Sequence, residues 1–314
     1  MRKVIVTGAT SYIAAALIRL LLEENYFIYA VIRPSSANQD KLPQSSNLSV
    51  IELDMDCYSE LGAMDLGGID AVYHFAWEGV RGGCRTDNLL QSRNMESTKQ
   101  LLDVACRRKI PYFIGMGSQA EYGITGRQLI TEDMPLNPVD AYGAAKKYIY
   151  QYGTALASRC GFTFIWARIF SAYGYGEHPD TLIMSSMRKM MCGKDVELSP
   201  CEHLWDYLYR DDLAQALYHL LKCQSPGGAY NISYGCPHPL KHYMEQMKKV
   251  LNSNSRLLFG VIPYGQHIVQ MNPSIAKICS ITTWSPETDF ETGIRRIYKD
   301  MENEKDKHLS TNLQ

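Results

Sequence analysis

Val4-Ile5-Val6-Thr7-Gly8-Ala9-Thr10-Ser11-Tyr12-Ile13-Ala14 joins a short apolar run to a glycine turn and then to an apolar helical pattern. A buried strand that turns at glycine into a helix N-terminus makes a phosphate site. Backbone N–H groups and the positive helix end point at a pyrophosphate. Gly8 permits the tight turn. A second glycine at the Ser11 position would let the backbone approach the phosphates closely, and Ser11 offers a hydroxyl donor instead. A third, at Ala14, would ease helix packing, and alanine serves there. With one glycine of three in place, the turn alone is a weak sign of a dinucleotide site, and its context has to decide.

Outward from this turn, short apolar runs alternate with helical patterns. Residues 27–32, 48–53, 71–75, 112–116 and 162–167 read as further buried strands, and 13–22, 88–107 and 141–157 as helices. That alternation predicts an α/β fold, a doubly wound parallel Rossmann-type sheet with helices on both faces. After Arg168 the rhythm breaks, and Gly, Pro and Tyr become frequent, as in Tyr173-Gly174-Tyr175-Gly176 and Cys236-Pro237-His238-Pro239. Helical patterns persist at 181–192, 211–222 and 240–251, and 230–233 reads as one more strand. The expected organisation is a dinucleotide-binding domain over 1–170 with return segments at about 205–235. A smaller mixed substrate lobe follows from 171–204 and 236–300, and 301–314 reads as a polar, flexible tail.

The second strand runs out at Arg33. NAD-binding folds usually place Asp or Glu there, to hold the ribose 2′-hydroxyl. Arginine suits a 2′-phosphate, which it grips with two charge-assisted hydrogen bonds. Ser35 and Ser36 add donors, so NADP(H) is preferred over NAD(H). Asp54, followed by Met55, stands after the third strand, where an adenine amino group would be capped.

Tyr142-Gly143-Ala144-Ala145-Lys146 places a phenol and an ammonium four apart on one helix face. Proton transfer to a carbonyl oxygen needs a group whose pKa is drawn toward neutrality, and a nearby ammonium does this for a phenol. By itself Tyr-x-x-x-Lys is common on amphipathic helices. The fifth strand, however, ends at Gly115-Met116-Gly117-Ser118-Gln119-Ala120-Glu121-Tyr122-Gly123. Ser118 therefore lies at the carboxyl edge of the sheet, where open α/β folds bind ligands. Its hydroxyl can hydrogen-bond the oxygen that Tyr142 protonates.

Several motifs in order resemble the extended short-chain dehydrogenase/reductase family, the sugar-nucleotide epimerase/dehydratase superfamily. They are Val6 to Thr10, Val72-Tyr73-His74-Phe75-Ala76, Asn94, Ser118 with Glu121-Tyr122-Gly123, Tyr142 with Lys146, and Arg168 to Gly174. Trp205 to Leu213, Tyr230-Asn231-Ile232 and Trp284 to Thr288 follow, so the likeness runs from Lys3 to about Tyr298. The resemblance implies that Tyr142 is the acid/base, that Lys146 lowers its pKa, and that Ser118 binds the reacting oxygen. It implies a cofactor lined by Gly8, Thr10, Ser11, Tyr12, Ile13, Phe75, Ala76, Trp77, Asn94 and Phe170. It also implies a homodimer built on the helices at 94–107 and 142–157, and a place in deoxysugar and polysaccharide biosynthesis.

The resemblance bears on the reaction as well. The family's 4,6-dehydratases carry an Asp-Glu pair directly after the catalytic hydroxyl residue. Here Gln119-Ala120 stands instead, and neither side chain moves a proton. The segments from Trp77 to Arg81, and from Leu198 to Tyr209, look most like 4-keto-6-deoxy-sugar-nucleotide reductases. That reading expects NADPH-dependent reduction of a nucleotide-diphosphate sugar. Trp77 would cover the sugar face, and Trp205 stands where relatives have an arginine near the nucleotide. Ser118, Gln119 and Ser171 are further substrate contacts, and Arg81, Arg188 and Arg210 would contact the diphosphate. An NAD-retaining 4-epimerase is the runner-up, and a non-catalytic dinucleotide sensor is the alternative from another class.

Bulk properties exclude other classes. A formal net charge of −1 and 21% charged residues give no basic excess for nucleic acid or an anionic membrane surface. No apolar run approaches the roughly 18 residues of a membrane span, and the N-terminus reads as a strand rather than a signal peptide. A chain of 314 residues, 46% hydrophobic, builds its own core. The nine cysteines form no C-x-x-C pair and read as reduced thiols in a cytoplasmic protein. His238 and His242 are four apart without further ligand-like neighbours, so no metal is expected.

Overall fold

The computed structural model describes residues 1–36, 38–265 and 268–311, with side chains described as far as Asn303. In chain order the first half runs β1 (Lys3–Thr7), α1 (Tyr12–Glu23), β2 (Phe27–Ile32), β3 (Leu48–Glu52), β4 (Ala71–His74), α2 (Asn88–Arg107), β5 (Tyr112–Ser118), α3 (Ala141–Cys160) and β6 (Thr163–Ile169). The second half runs β7 (Ser171–Tyr173), α4 (Leu182–Met191), β8 (Val196–Leu198), β9 (Leu204–Trp205), β10 (Tyr207–Tyr209), α5 (Arg210–Lys222), β11 (Gly228–Ile232), β12 (His238–Pro239), α6 (Leu240–Val250), β13 (Leu257–Phe259), α7 (Ala276–Ile281) and α8 (Phe290–Thr311).

Seven strands form one sheet in the order β11-β6-β5-β4-β1-β2-β3, and every pairing in it is parallel. The expected doubly wound α/β fold is therefore present. The order reverses between β1 and β4, which opens a crevice at the carboxyl ends of those strands. The strands read as continuous apolar runs because both faces are covered. One face buries Val4, Val6, Ala30, Tyr73, Ile114 and Ile165 under α1 and α5, and the other buries Ile5, Val31, Val72, Phe113 and Trp166 under α2 and α3. Gly153 lets α3 lie close to the sheet, since a Cβ there would come within 2.4 Å of the Phe164 ring.

A second core lies outside the sheet. Tyr173, Met184, Met187, Tyr207, Tyr209, Tyr243, Met247, Phe290 and Ile294 pack there, drawn from β7, α4, β10, α6 and α8. From the second half, β11 joins the sheet, α5 packs on α1, and α7 packs on β11, so these elements return to the main layers.

Two expectations need correction. Cys106 and Cys160 are not free thiols but a disulfide with Cα atoms 5.6 Å apart. The physical reason is register: α2 and α3 are both 20 residues long and pack side by side, so their last turns meet. Seven free cysteines are described beside it. The polar stretch from Met301 continues α8 as far as Thr311 rather than starting a tail, while 312–314 lie outside the described residues. Among the described residues, no helix is long and apolar enough to cross a membrane, and no group of three His, Cys, Asp or Glu is placed to hold a metal ion.

Candidate active site

The crevice begins at Gly8, whose φ of +63° L side chains rarely adopt. A Cβ there would sit 2.7 Å from the Ala76 backbone nitrogen, so the turn packs directly on the exit of β4. The Ser11 N–H donates to the Gly8 carbonyl at 3.0 Å. Its hydroxyl accepts from the Ala14 N–H at 3.2 Å and caps α1, which leaves the hydroxyl proton free for an anion. A tight turn, a capped helix start and a crevice beside it fit a dinucleotide pyrophosphate.

Along the same edge, Arg33 is exposed just past β2. Ser35 follows at φ +56°, and the Ser36 hydroxyl lies 3.5 Å from that of Thr10. Asp54 accepts from Arg93, which also binds Asp56 and Glu78, so its carboxylate is engaged in an ion-pair cluster. Met55 and Phe170 are buried core residues, and Tyr12 donates its hydroxyl proton to the Ala172 carbonyl. Asn94 is wholly buried, and its amide holds the Glu78 backbone at both N–H and C=O, each at 2.9 Å. It acts on the loop after β4 rather than facing the crevice.

Ser118, Tyr142 and Lys146 do come together. Ser118 ends β5 and caps the short 3₁₀ turn Gln119–Glu121. Tyr142 and Lys146 lie on the first two turns of α3, which Asp140 caps by accepting the Gly143 N–H at 2.7 Å. Lys146 donates to the Met116 carbonyl at 2.7 Å and sits 3.5 Å over the Trp77 ring. Trp77 meets Tyr142 edge-on at 6.2 Å and donates its indole N–H to Gln91.

Burial raises the Tyr142 phenol above the usual tyrosine value, opposed by a hydrogen bond with Ser118 and by the charge of Arg85. Burial also pushes Lys146 down to about 7, against the pull of Glu121. Behind the site, wholly buried Glu121 accepts from the Ser118 N–H, the Trp166 indole and Arg168 at 2.8, 2.8 and 2.9 Å. This fixes the turn that presents Ser118. The arrangement is a desolvated hydroxyl pair beside an amine, suited to moving one proton to or from an oxygen.

The expected substrate residues divide. The Trp205 indole donates to Ser171 at 2.9 Å, joining two of them. Arg81 lies 3.9 Å from Glu177, whose carboxyl burial pushes up to about 7. Gln119 begins the turn after Ser118. Arg210 spends its guanidinium on the Tyr175 carbonyl and packs over Gly174. Arg188 is exposed on α4 and reaches the Pro179 carbonyl, so nothing draws it to the others. Sequence reasoning passed over Arg85, whose guanidinium lies 4.5 Å from the centre of the Tyr142 ring, and Asp140, which holds it. The available signals were an Asp directly before the Ala141 helix start and an arginine four residues past Arg81.

Comparison with known proteins fits this geometry. Residues 4–233 match the model of the NAD dependent epimerase/dehydratase family. The CDP-abequose synthase of Salmonella muenchen is 23% identical over 305 residues, covering 94% of this chain and 97% of that protein. The UDP-glucose 4-epimerase of Corynebacterium glutamicum is 26% identical over 268 residues, covering 79% and 80%. Among solved structures, the UDP-N-acetylglucosamine 4-epimerase of Methanobrevibacter ruminantium superposes with a TM-score of 0.88 at 19% identity, covering 96% of this chain and 99% of that one. The chain belongs to the NAD dependent epimerase/dehydratase family, whose members are NAD(P)-dependent enzymes of the extended short-chain dehydrogenase/reductase type.

Proposed function

We propose that this enzyme reduces a nucleotide-linked 4-keto-6-deoxy sugar. The observation that carries this reading is the assembled Ser118, Tyr142 and Lys146 group with Gln119-Ala120 where an elimination would need two acids. A bound NADPH would supply a hydride to C4 of the sugar. The residues for it are Gly8, Thr10, Ser11, Tyr12 and Ile13 at the pyrophosphate, and Arg33 with Ser35 at the 2′-phosphate.

The chain's own groups do the rest. The Tyr142 phenol gives its proton to the keto oxygen, which becomes the product hydroxyl, and then regains one from solvent. Ser118 hydrogen-bonds the same oxygen and keeps it within reach of the phenol. Lys146, held to the Met116 carbonyl at the floor of the site, sets the polarity beside the phenol. Trp77 covers one side of the sugar. Arg81 is the diphosphate contact nearest the reacting end, and Ser171 with Trp205 forms the opposite wall. Exposed Arg33 supports NADPH over NADH, since no carboxylate stands there to repel a 2′-phosphate.

A second reading, an NAD-retaining 4-epimerase, is favoured by the epimerases among its relatives and structural neighbours. One experiment separates the two. Purified enzyme is mixed with NADPH and 4-keto-6-deoxy sugar nucleotides, and nicotinamide absorbance is followed. Stoichiometric oxidation supports reduction. Interconversion of 4-hydroxyl epimers with no net loss of NADPH, by enzyme that carries NAD from purification, supports epimerisation instead.

A further inference from the structure

The catalytic phenol has two cations near it, and they differ in kind. Lys146 follows one turn later on the same helix, with Nζ 5.7 Å from the centre of the Tyr142 ring. It is buried and donates away from the phenol, to the Met116 carbonyl. Arg85 comes from a different element, the 3₁₀ segment Gly82–Thr86 after β4. Its guanidinium lies 4.5 Å from the Tyr142 ring centre and binds Asp140 through Nε at 2.7 Å. Asp140 in turn caps the helix that carries Tyr142. Cap, arginine and phenol thus form a closed triangle.

We infer that Arg85 is a positioning residue: clamped by Asp140, its guanidinium holds the Tyr142 ring and presents it with a permanent positive charge. This rests on the reading of Tyr142 as the proton donor.

The charged and polar groups facing the phenol make the case. Glu121, from the turn after β5, and Asp140 oppose its ionisation, while the Ser118 hydroxyl and Arg85 favour it. Trp77 closes the remaining side with an apolar edge. Lys146 cannot supply a constant charge, because burial brings it down to about 7, so near neutrality it is charged only part of the time. A guanidinium keeps its proton at every working pH. A cation within about 6 Å of a ring face is attracted to it, and the contact is stiffened by the Asp140 bond. The side chain is 29% exposed, so solvent weakens the effect without removing it. Glycines at 79, 82 and 83 surround this segment, and Gly79 and Gly82 hold positive φ values that let the chain double back over α3.

The test compares Arg85→Met, Arg85→Gln and Arg85→Lys. In cofactor-free protein, phenolate absorbance is titrated for each, and the same variant carrying Tyr142→Phe is subtracted. The expected result is a Tyr142 ionisation displaced to higher pH in the Met and Gln variants and restored toward wild type by Lys. In turnover, kcat should fall by about two- to tenfold for the neutral variants, since a general acid's rate follows part of its loss of acidity, and the alkaline limb of the pH profile should move upward. An unchanged phenol titration in both neutral variants overturns the inference. So does a rise in KM alone, which would make Arg85 a substrate contact. The titration needs neither substrate nor cofactor. Failure to reduce any sugar nucleotide, with the phenol still displaced, would defeat the reductase reading and leave Arg85 in its role.

Discussion

The helices α2 and α3 are equally long, lie side by side, and are treated in opposite ways at their two ends. At the amino ends, Asp87 and Asp140 cap them, and buried polar groups crowd together: Gln91, Asn94, Tyr142 and Lys146. At the carboxyl ends a Cys106–Cys160 disulfide joins them. The near end holds desolvated polar groups, each of which costs stability unless partnered. The far end carries a covalent tie, which acts mainly by restricting the unfolded chain. Chemistry and cohesion are thus placed on one scaffold about 30 Å long, the span of 20 helical residues. The lesson is that substitutions at the two ends should separate activity from stability.

Tyr142→Phe tests the near end most severely. Removing the phenolic proton should lower turnover by about 10²–10⁴-fold, the usual range for a general acid. Stability should move by no more than roughly 1 kcal/mol, the net worth of one hydrogen bond. Retained activity would show that the oxygen takes its proton from another group. Next in size is Glu121→Gln, behind Ser118. It leaves Arg168, 1% exposed, without its countercharge, and breaking one partner of such a pair costs about 3–5 kcal/mol. Chemical denaturation reads that loss. A cost below about 1 kcal/mol would mean that the bonds Arg168 already makes, to the Tyr122 hydroxyl at 2.9 Å and the Glu132 carbonyl at 3.2 Å, suffice to hold it.

Cys106→Ser is the matching change at the far end. The disulfide closes a loop of 54 residues, for which the chain-entropy relation gives about 4 kcal/mol and experience about 2–4. Activity per folded molecule should stay the same, because the tie stands at the opposite ends of the helices from Tyr142. A variant that loses turnover at unchanged stability would break the proposed separation of the ends.

How much of this was legible in the sequence differs between the same regions. The bounds of α2 came out as read, 88–107, because Asp87 supplies a cap and the apolar spacing is regular. Ser118, Tyr142 and Lys146 were legible because strand-end and helix-start signals fix where those side chains emerge. The disulfide was not, because Cys106 and Cys160 show no local pattern and meet only through the matched lengths of two helices. Arg85 was missed for a related reason: in a glycine-rich loop, spacing does not say which arginine turns inward. The helix from Phe290 was overlooked although Phe290, Ile294 and Ile297 are buried at helical spacing, since charged residues around them mask the apolar stripe. Arg188, read as a diphosphate contact, lies exposed on its helix, where spacing alone does not say what a charge meets.

The last comparison is of pH dependence, which the site end has and the stapled end lacks. Lys146 is 4% exposed, and burial brings it from the ordinary 10.5 down to about 7. Between those values the unfolded chain binds a proton at this position that the folded protein does not. Stability therefore rises with pH across that window, where the unfolded state holds more protons. On acidification through 7 the folded site must take up a buried charge and gains nothing further from neutrality. Comparing cofactor-free wild type with Lys146→Met cancels the other titrating groups. The wild type should gain on the Met variant as pH goes from about 7 toward 10, while Cys106→Ser should track wild type in parallel over the same range. Denaturant midpoints at several pH values measure both. A wild-type advantage that is flat across the window would place the Lys146 charge in a solvated setting, and the contrast between a desolvated site end and a pH-indifferent stapled end would fail at its site end.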